Sequence, residues 1–185
     1  GVINTVAKSG TNDFHAGAEL TFEPRAWQSS AKDRYFNGER YLTSSQDDYP
    51  DTTLDLWASG PLIKDRLFFF ALYELRDYEP TNTNDEGTNL TKNNSSNGFW
   101  GGTLDWYVTD NNILSLMAFS NKNENTGDVY TYDYDNNEIG NKTNEIYNDT
   151  GGDNWALSWS SYFTSNFSMK VMYGENHRQS FNRSL

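Results

Sequence analysis

The chain has 185 residues, a formal net charge of −12 and no cysteine. Disulfide staples, thiolate metal sites and a nucleic-acid partner are therefore set aside. Only 35% of the residues are hydrophobic but 16% are aromatic, and aromatics are scarce in disordered chains, so composition favours a β-rich fold with long polar connections over disorder. No run of about 18 apolar residues occurs, which excludes a helical membrane span but not membrane strands of about 9–11 alternating residues.

The chain opens inside a strand-like run, Val2-Ile3-Asn4-Thr5-Val6, and breaks at Lys8-Ser9-Gly10-Thr11-Asn12. It restarts with strict alternation. Phe14, Ala16, Ala18, Leu20 and Phe22 share one face, and His15, Gly17, Glu19, Thr21 and Glu23 share the other, the period of a strand. Further alternating runs follow at Leu54, Leu56 and Ala58, at Leu67 to Leu75, and at Trp100 to Val108. The run 113–120 has ambiguous facing. Trp155, Leu157, Trp159 and Phe163 mark another strand, and Phe167, Met169, Val171 and Tyr173 the last. No stretch repeats apolar residues at helical spacing.

The connections alternate in length. Lys64-Asp65, Thr109 to Asn112, and Thr164 to Asn166 are tight; 26–51, 79–98 and 121–153 are long. In a meander, alternate connections lie at opposite ends, so one end carries turns and the other carries long polar loops. That is the layout of an outer-membrane barrel with short periplasmic turns and long extracellular loops. The three long loops carry −10 of the total charge of −12, and the apolar strand faces carry no Lys or Arg, which on a lipid face would cost about 2–4 kcal/mol each at the midplane. Aromatics flank the tight turns: Phe68, Phe69 and Phe70 at the first, Trp106 and Tyr107 at the second, Phe163 and Phe167 at the third. Such rings suit a bilayer interface, or equally the core of a soluble sandwich.

Candidate chemistry is sparse. The two histidines, His15 and His177, read as lumen-facing or interfacial polar residues, and no catalytic constellation is present, so an enzyme is not expected. The adjacent acids Asp47 and Asp48 read as solvated loop residues. Asp133, Asp135 and Asn137 have the alternating oxygen spacing of a calcium loop, but the glycine comes too late and Asn144 stands at the required glutamate position, which excludes an EF-hand and leaves only a looser calcium site. Tyr130, Tyr132 and Tyr134 are candidates for outer-loop ligand contact or for aromatic cross-strand pairs in an extended hairpin.

Two stretches carry a resemblance. Residues 1–20, GVINTVAKSGTNDFHAGAEL, resemble the junction between plug and barrel in TonB-dependent outer-membrane receptors, in particular the Oar-like subgroup. Residues 60–75, GPLIKDRLFFFALYEL, resemble the turn between that family's second and third barrel strands. The resemblance implies that 1–12 is the last plug strand with a hinge at Lys8, Ser9, Gly10, Thr11 and Asn12. It implies that 13–185 is the N-terminal part of a barrel of about 22 strands, with about seven strands present. The expected fold is thus all-β, an antiparallel meander forming part of a transmembrane barrel and incomplete as given. The expected function is energised uptake or export of a scarce solute, glycan or peptide in the outer membrane of a Gram-negative bacterium. Its partners would be outer-membrane lipid and, through a segment not in this sequence, the TonB-ExbB-ExbD complex. His15, Glu19, Thr21, Glu23, Asp105 and Lys170 would face the lumen, and Phe14 to Phe22 of the opposite face would meet lipid. The alternatives are a soluble secreted carbohydrate-binding β-sandwich and an outer-membrane adhesin that does not transport.

Overall fold

The computed structural model describes residues 8–95 and 97–184; the plug strand expected over Val2–Val6 lies outside them. Fourteen strands follow one another: β1 (His15–Glu23), β2 (Arg34–Phe36), β3 (Glu39–Leu42), β4 (Asp51–Ile63), β5 (Leu67–Tyr78), β6 (Thr81–Thr83), β7 (Asn89–Asn94), β8 (Trp100–Thr109), β9 (Asn112–Ser120), β10 (Asn123–Asp133), β11 (Glu138–Gly151), β12 (Asp153–Thr164), β13 (Phe167–Asn176) and β14 (Gln179–Ser184). One turn of 3-10 helix covers Arg25–Trp27.

The seven alternating segments of the sequence are β1, β4, β5, β8, β9, β12 and β13. They form one antiparallel sheet in that order, the meander that the alternation predicts. This sheet is the wall, and it is open, with β1 and β13 at its edges. Its tight turns need left-handed backbone in only one place: Asp65 has φ 61°, where a short polar side chain tolerates that conformation.

Register sorts the side chains. Because the side-chain period is two, residues paired across strands share a face. One row runs Ala18, Leu56, Tyr73, Trp100; another runs Phe69, Leu104, Leu116, Leu157, Tyr173; a third runs Leu67, Trp106, Leu114, Trp159, Val171. One face is therefore apolar across the wall, and no described residue covers it: Leu20, Trp106, Val171 and Tyr173 are 66%, 48%, 51% and 65% exposed. Between these rows Ala16, Ala58, Ala71, Gly102 and Ala118 form a row of small residues under a hollow of about 890 Å³.

Two of the long connections differ from the sequence reading, and the third pairs as the extended hairpin that the reading offered. They are not irregular. The second and third fold with β14 into a five-stranded sheet of order β14-β11-β10-β7-β6, and the first forms the hairpin β2-β3. Two backbone bridges, Asp48 with Thr81 and Tyr78 with Ser95, link loop to loop and loop to wall. Among the described residues, the buried hydrophobic cluster of the molecule, Leu90, Tyr132 and Tyr134, lies in this loop sheet and not in the wall. In a soluble sandwich the two inner sheet faces fill each other; here the wall's two faces are left without such a filling layer.

Candidate functional site

The segment before β1 does not run on in line with the wall; it lies against the sheet. The Ser9 hydroxyl donates to the Asp105 carboxylate, the Thr103 hydroxyl donates to the Lys8 carbonyl at 2.7 Å, and the Lys8 ammonium stands 5.8 Å from the Phe70 ring centroid. Register places Phe70, Thr103 and Asp105 on the face opposite the apolar one. Asn12 closes the segment: its amide donates to Asp65 Oδ1 at 2.6 Å while its Oδ1 accepts from the Asp65 amide at 2.8 Å. Gly10 is needed there, because a Cβ would collide with the carbonyls of Phe69 and Gly60. The residues read as a hinge are thus a strap laid over the second face, tied at the tight-turn end of the wall. Ser9 and Asp105 lie 96 positions apart, so no local signal in the sequence joins them.

The six residues expected to face the lumen share that second face. His15 pairs with Ser59, Glu19 with Asp55, Thr21 with Thr53, and Glu23 with Asp51; Asp105 pairs with Ser115 and Lys170 with Ser160. The row Glu19, Asp55, Glu74 sets three carboxylates side by side, a repulsive arrangement bordered by the ion pair of Arg76 with Asp51 at 2.6 Å. Aromatic and apolar residues also stand on this face, among them Trp57, Phe70, Leu72 and Phe119, each in register with its neighbours. The face is mixed rather than uniformly polar.

The long loops are knotted around Tyr134. Its hydroxyl donates to Asp33 Oδ1 at 2.6 Å and meets the Ser45 hydroxyl. The same Asp33 oxygen accepts from the Ser44 and Ser45 amides at 3.0 and 2.9 Å. Partial burial works against the Asp33 charge, but these donors outweigh it and draw its pKa from 3.8 down to about 2. The Arg40 guanidinium lies 4.3 Å from the Tyr134 ring centroid and pairs with Asp135 at 2.8 Å. The buried Thr43 hydroxyl donates to the Asn84 carbonyl, joining the first loop to the second.

Of the ligand-contact candidates, Tyr132 and Tyr134 are 6% and 8% exposed and packed edge to face at 6.0 Å. Tyr130 sits at the edge of this cluster with Lys92 5.5 Å over its ring. The calcium candidates have protein partners. Asp133 accepts from the Asn136 amide and side chain, Asp135 holds Arg40, and Asn137, at φ 54°, accepts from the Tyr132 hydroxyl at 2.6 Å. Among the described residues no group of three or more His, Asp or Glu is arranged to hold a metal ion. Asp47 and Asp48, read as solvated, are instead fasteners. Asp47 Oδ1 accepts from the amide and hydroxyl of Thr83, and Asp48 pairs with Arg25 at 3.3 Å.

The histidines lie at opposite edges of the wall, His15 on β1 and His177 just after β13. No family model, curated protein or solved structure matches the chain.

Proposed function

We propose that the chain forms part of the barrel wall of a TonB-dependent outer-membrane receptor, with its apolar face in lipid, its mixed face lining the lumen and its loop sheet capping the outer end. The observation that carries this reading is the uncovered apolar face, continuous in register over seven strands. On β5 it runs from Leu67 to Leu75, about 27 Å along the strand. At a tilt of about 40° that is about 20 Å of height, close to the ~25 Å apolar band of such barrels. An exposed apolar surface of this extent otherwise marks an interface or an aggregation hazard.

The strap supports the same reading. A chain segment that approaches from the lumen and is tied by Ser9, Asn12 and Gly10 at the tight-turn end is what a plug entering the wall from inside requires. The solute, glycan or peptide taken up would meet the loop cap first and the mixed face afterwards.

Because the chain has no cysteine, single cysteines report cleanly. In cells producing the protein, Leu157→Cys on the apolar face reacts with a lipid-soluble maleimide and resists a charged one. Ser160→Cys, half-buried on the opposite face beside Lys170, shows the reverse, and the protein sediments with the outer membrane. Equal labelling of both sites by the charged reagent, with the protein in the soluble fraction, overturns the proposal in favour of a soluble module.

A further inference from the structure

A cavity of about 710 Å³ opens where the loop sheet meets the wall, between the start of β10, the Gly151-Gly152 link and the connection from β13 to β14. Its size lies within the ~300–1,000 Å³ range of small-molecule sites. Trp155 forms part of its lining and is held by an edge-on contact with Tyr173, ring centroids 5.7 Å apart. The rest of the lining is hydrogen-bonding side chains on short, tied backbone. His177 is fixed by its amide, which donates to Asn154 Oδ1 at 3.0 Å, and Asn154 is itself 4% exposed and holds the Gly152 carbonyl at 3.0 Å. A Cβ on Gly152 would collide with the His177 carbonyl, so glycine keeps the two walls at this spacing. Gln179 donates to Asp149 Oδ2 at 2.8 Å, and Lys122 pairs with Asp153 at 2.8 Å. Glu124 and Arg178 also line the cavity and enter none of the ion pairs among the described residues.

Three features select the ligand. Cations and carboxylates nearly balance, so the cavity does not call for a strongly charged guest. Carboxylate, guanidinium, amide and imidazole groups give acceptors and donors side by side, the complement of vicinal hydroxyls, each of which both donates and accepts. The indole face offers an apolar platform for the C–H side of a sugar ring. We propose that this cleft binds a neutral saccharide of two to three rings, with Trp155 as platform and Glu124, Asp149 and Arg178 as hydroxyl partners. Trp155 stands in the apolar-face row with Ala118, so the saccharide has two sources: a free oligosaccharide, or the sugar headgroup of a lipid whose chains run down that face. The inference goes beyond the transport reading; its free-oligosaccharide form does not rest on that reading, and its lipid-borne form takes from it only that the apolar face meets lipid.

The test uses the full-length protein purified in detergent, and is independent of the membrane-fraction measurement that judges the transport reading. Titration calorimetry with maltotriose, cellotriose and chitotriose is set beside binding to phosphatidylethanolamine vesicles with and without the neutral glycolipid digalactosyldiacylglycerol. Arg178→Ala removes an exposed hydroxyl partner. Trp155→Leu keeps an apolar residue in the wall but removes the platform. Binding of a trisaccharide that weakens about tenfold in Arg178→Ala, the loss expected of one hydrogen bond to a charged group, and also weakens in Trp155→Leu through loss of the aromatic platform, supports the cleft with a free ligand. Binding only to vesicles that contain the neutral glycolipid, weakened likewise, supports the lipid-borne source. No binding by any probe at millimolar concentration, or equal binding by both variants and the parent, overturns it.

Discussion

At the scale of single residues, one carboxylate oxygen ties the first long loop to the third. Asp33 Oδ1 takes three donors, two amides and the Tyr134 hydroxyl, and each needs the carboxylate ionised to be at its strongest. Its folded pKa of about 2 lies below its ordinary 3.8. The stabilisation is therefore complete above about pH 4 and is lost as the pH falls through about 2. Limited proteolysis between residues 26 and 51 should stay slow down to about pH 4 and accelerate below it. Tyr134→Phe keeps the ring under Arg40 but removes a donor, so cleavage should already be faster at pH 7, by an amount that reflects about 1–2 kcal/mol. If that variant is cut no faster than the parent, the hydroxyl does not hold the loops. None of this knot was legible in the sequence. Asp33 and Tyr134 are 101 positions apart, and a tyrosine in an Asn- and Asp-rich loop looks the same whether it faces a ligand or a neighbouring loop.

At the scale of strands, alternation settled the number of wall strands and the facing of all but one. Each wall strand must present one face to a single medium, which leaves a period of two in the sequence whatever its partners are. The ambiguous run 113–120 was resolved only by pairing: Leu104 opposite Leu116, and Asp105 opposite Ser115, assign Leu116 to the apolar face and Ser115 to the other. A charge distinguishes the two. With the apolar face in lipid, as proposed, Leu116→Arg should cost about 2–4 kcal/mol in bilayer stability and deplete the protein from the membrane fraction, whereas Ser115→Arg one position earlier should leave its level near that of the parent. Equal depletion of both would contradict the facing. The loop strands left no comparable trace. β11, EIGNKTNEIYNDTG, carries no apolar alternation, because its sheet is ordered mainly by backbone pairing and by the small cluster of Leu90, Tyr132 and Tyr134. Burying such side chains contributes about 1.5–3 kcal/mol each, enough to choose a partner strand but too little to pattern the sequence.

At the scale of the whole molecule, there are two ladders with little between them. The wall ladder passes through the seven strands from β1 to β13, and the loop ladder through the five from β14 to β6. The chain crosses between them at few points, among them the Tyr78–Ser95 bridge and the Asn121 amide on the Gly152 carbonyl at 3.1 Å. Hydrogen exchange followed by mass spectrometry should therefore divide the amides into two cooperative groups. The wall should be the slower, and β6, β7, β10, β11 and β14 should exchange together at an intermediate rate. Exchange of those loop strands at the rate of an unstructured peptide would show that the second sheet does not persist in solution.

The separation of the two ladders also bears on inheritance. Side chains of the loop sheet find hydrogen-bond partners within that sheet and in the long loops beside it, as Thr83 does in Asp47 and Asn82 in Tyr49, so a substitution there asks for no matching change among the rows of Leu, Trp and Ala below. Lineages of this protein can then diversify what they meet outside while the wall stays under the unchanging demand of its surroundings. Among descendants of one ancestor, accepted substitutions should crowd into 81–94, 123–150 and 179–184, and insertions there should keep β10 and β11 paired. The strap from Lys8 to Asn12, tied to Asp65, Thr103 and Asp105 at the tight-turn end of the wall, should vary as little as the wall itself.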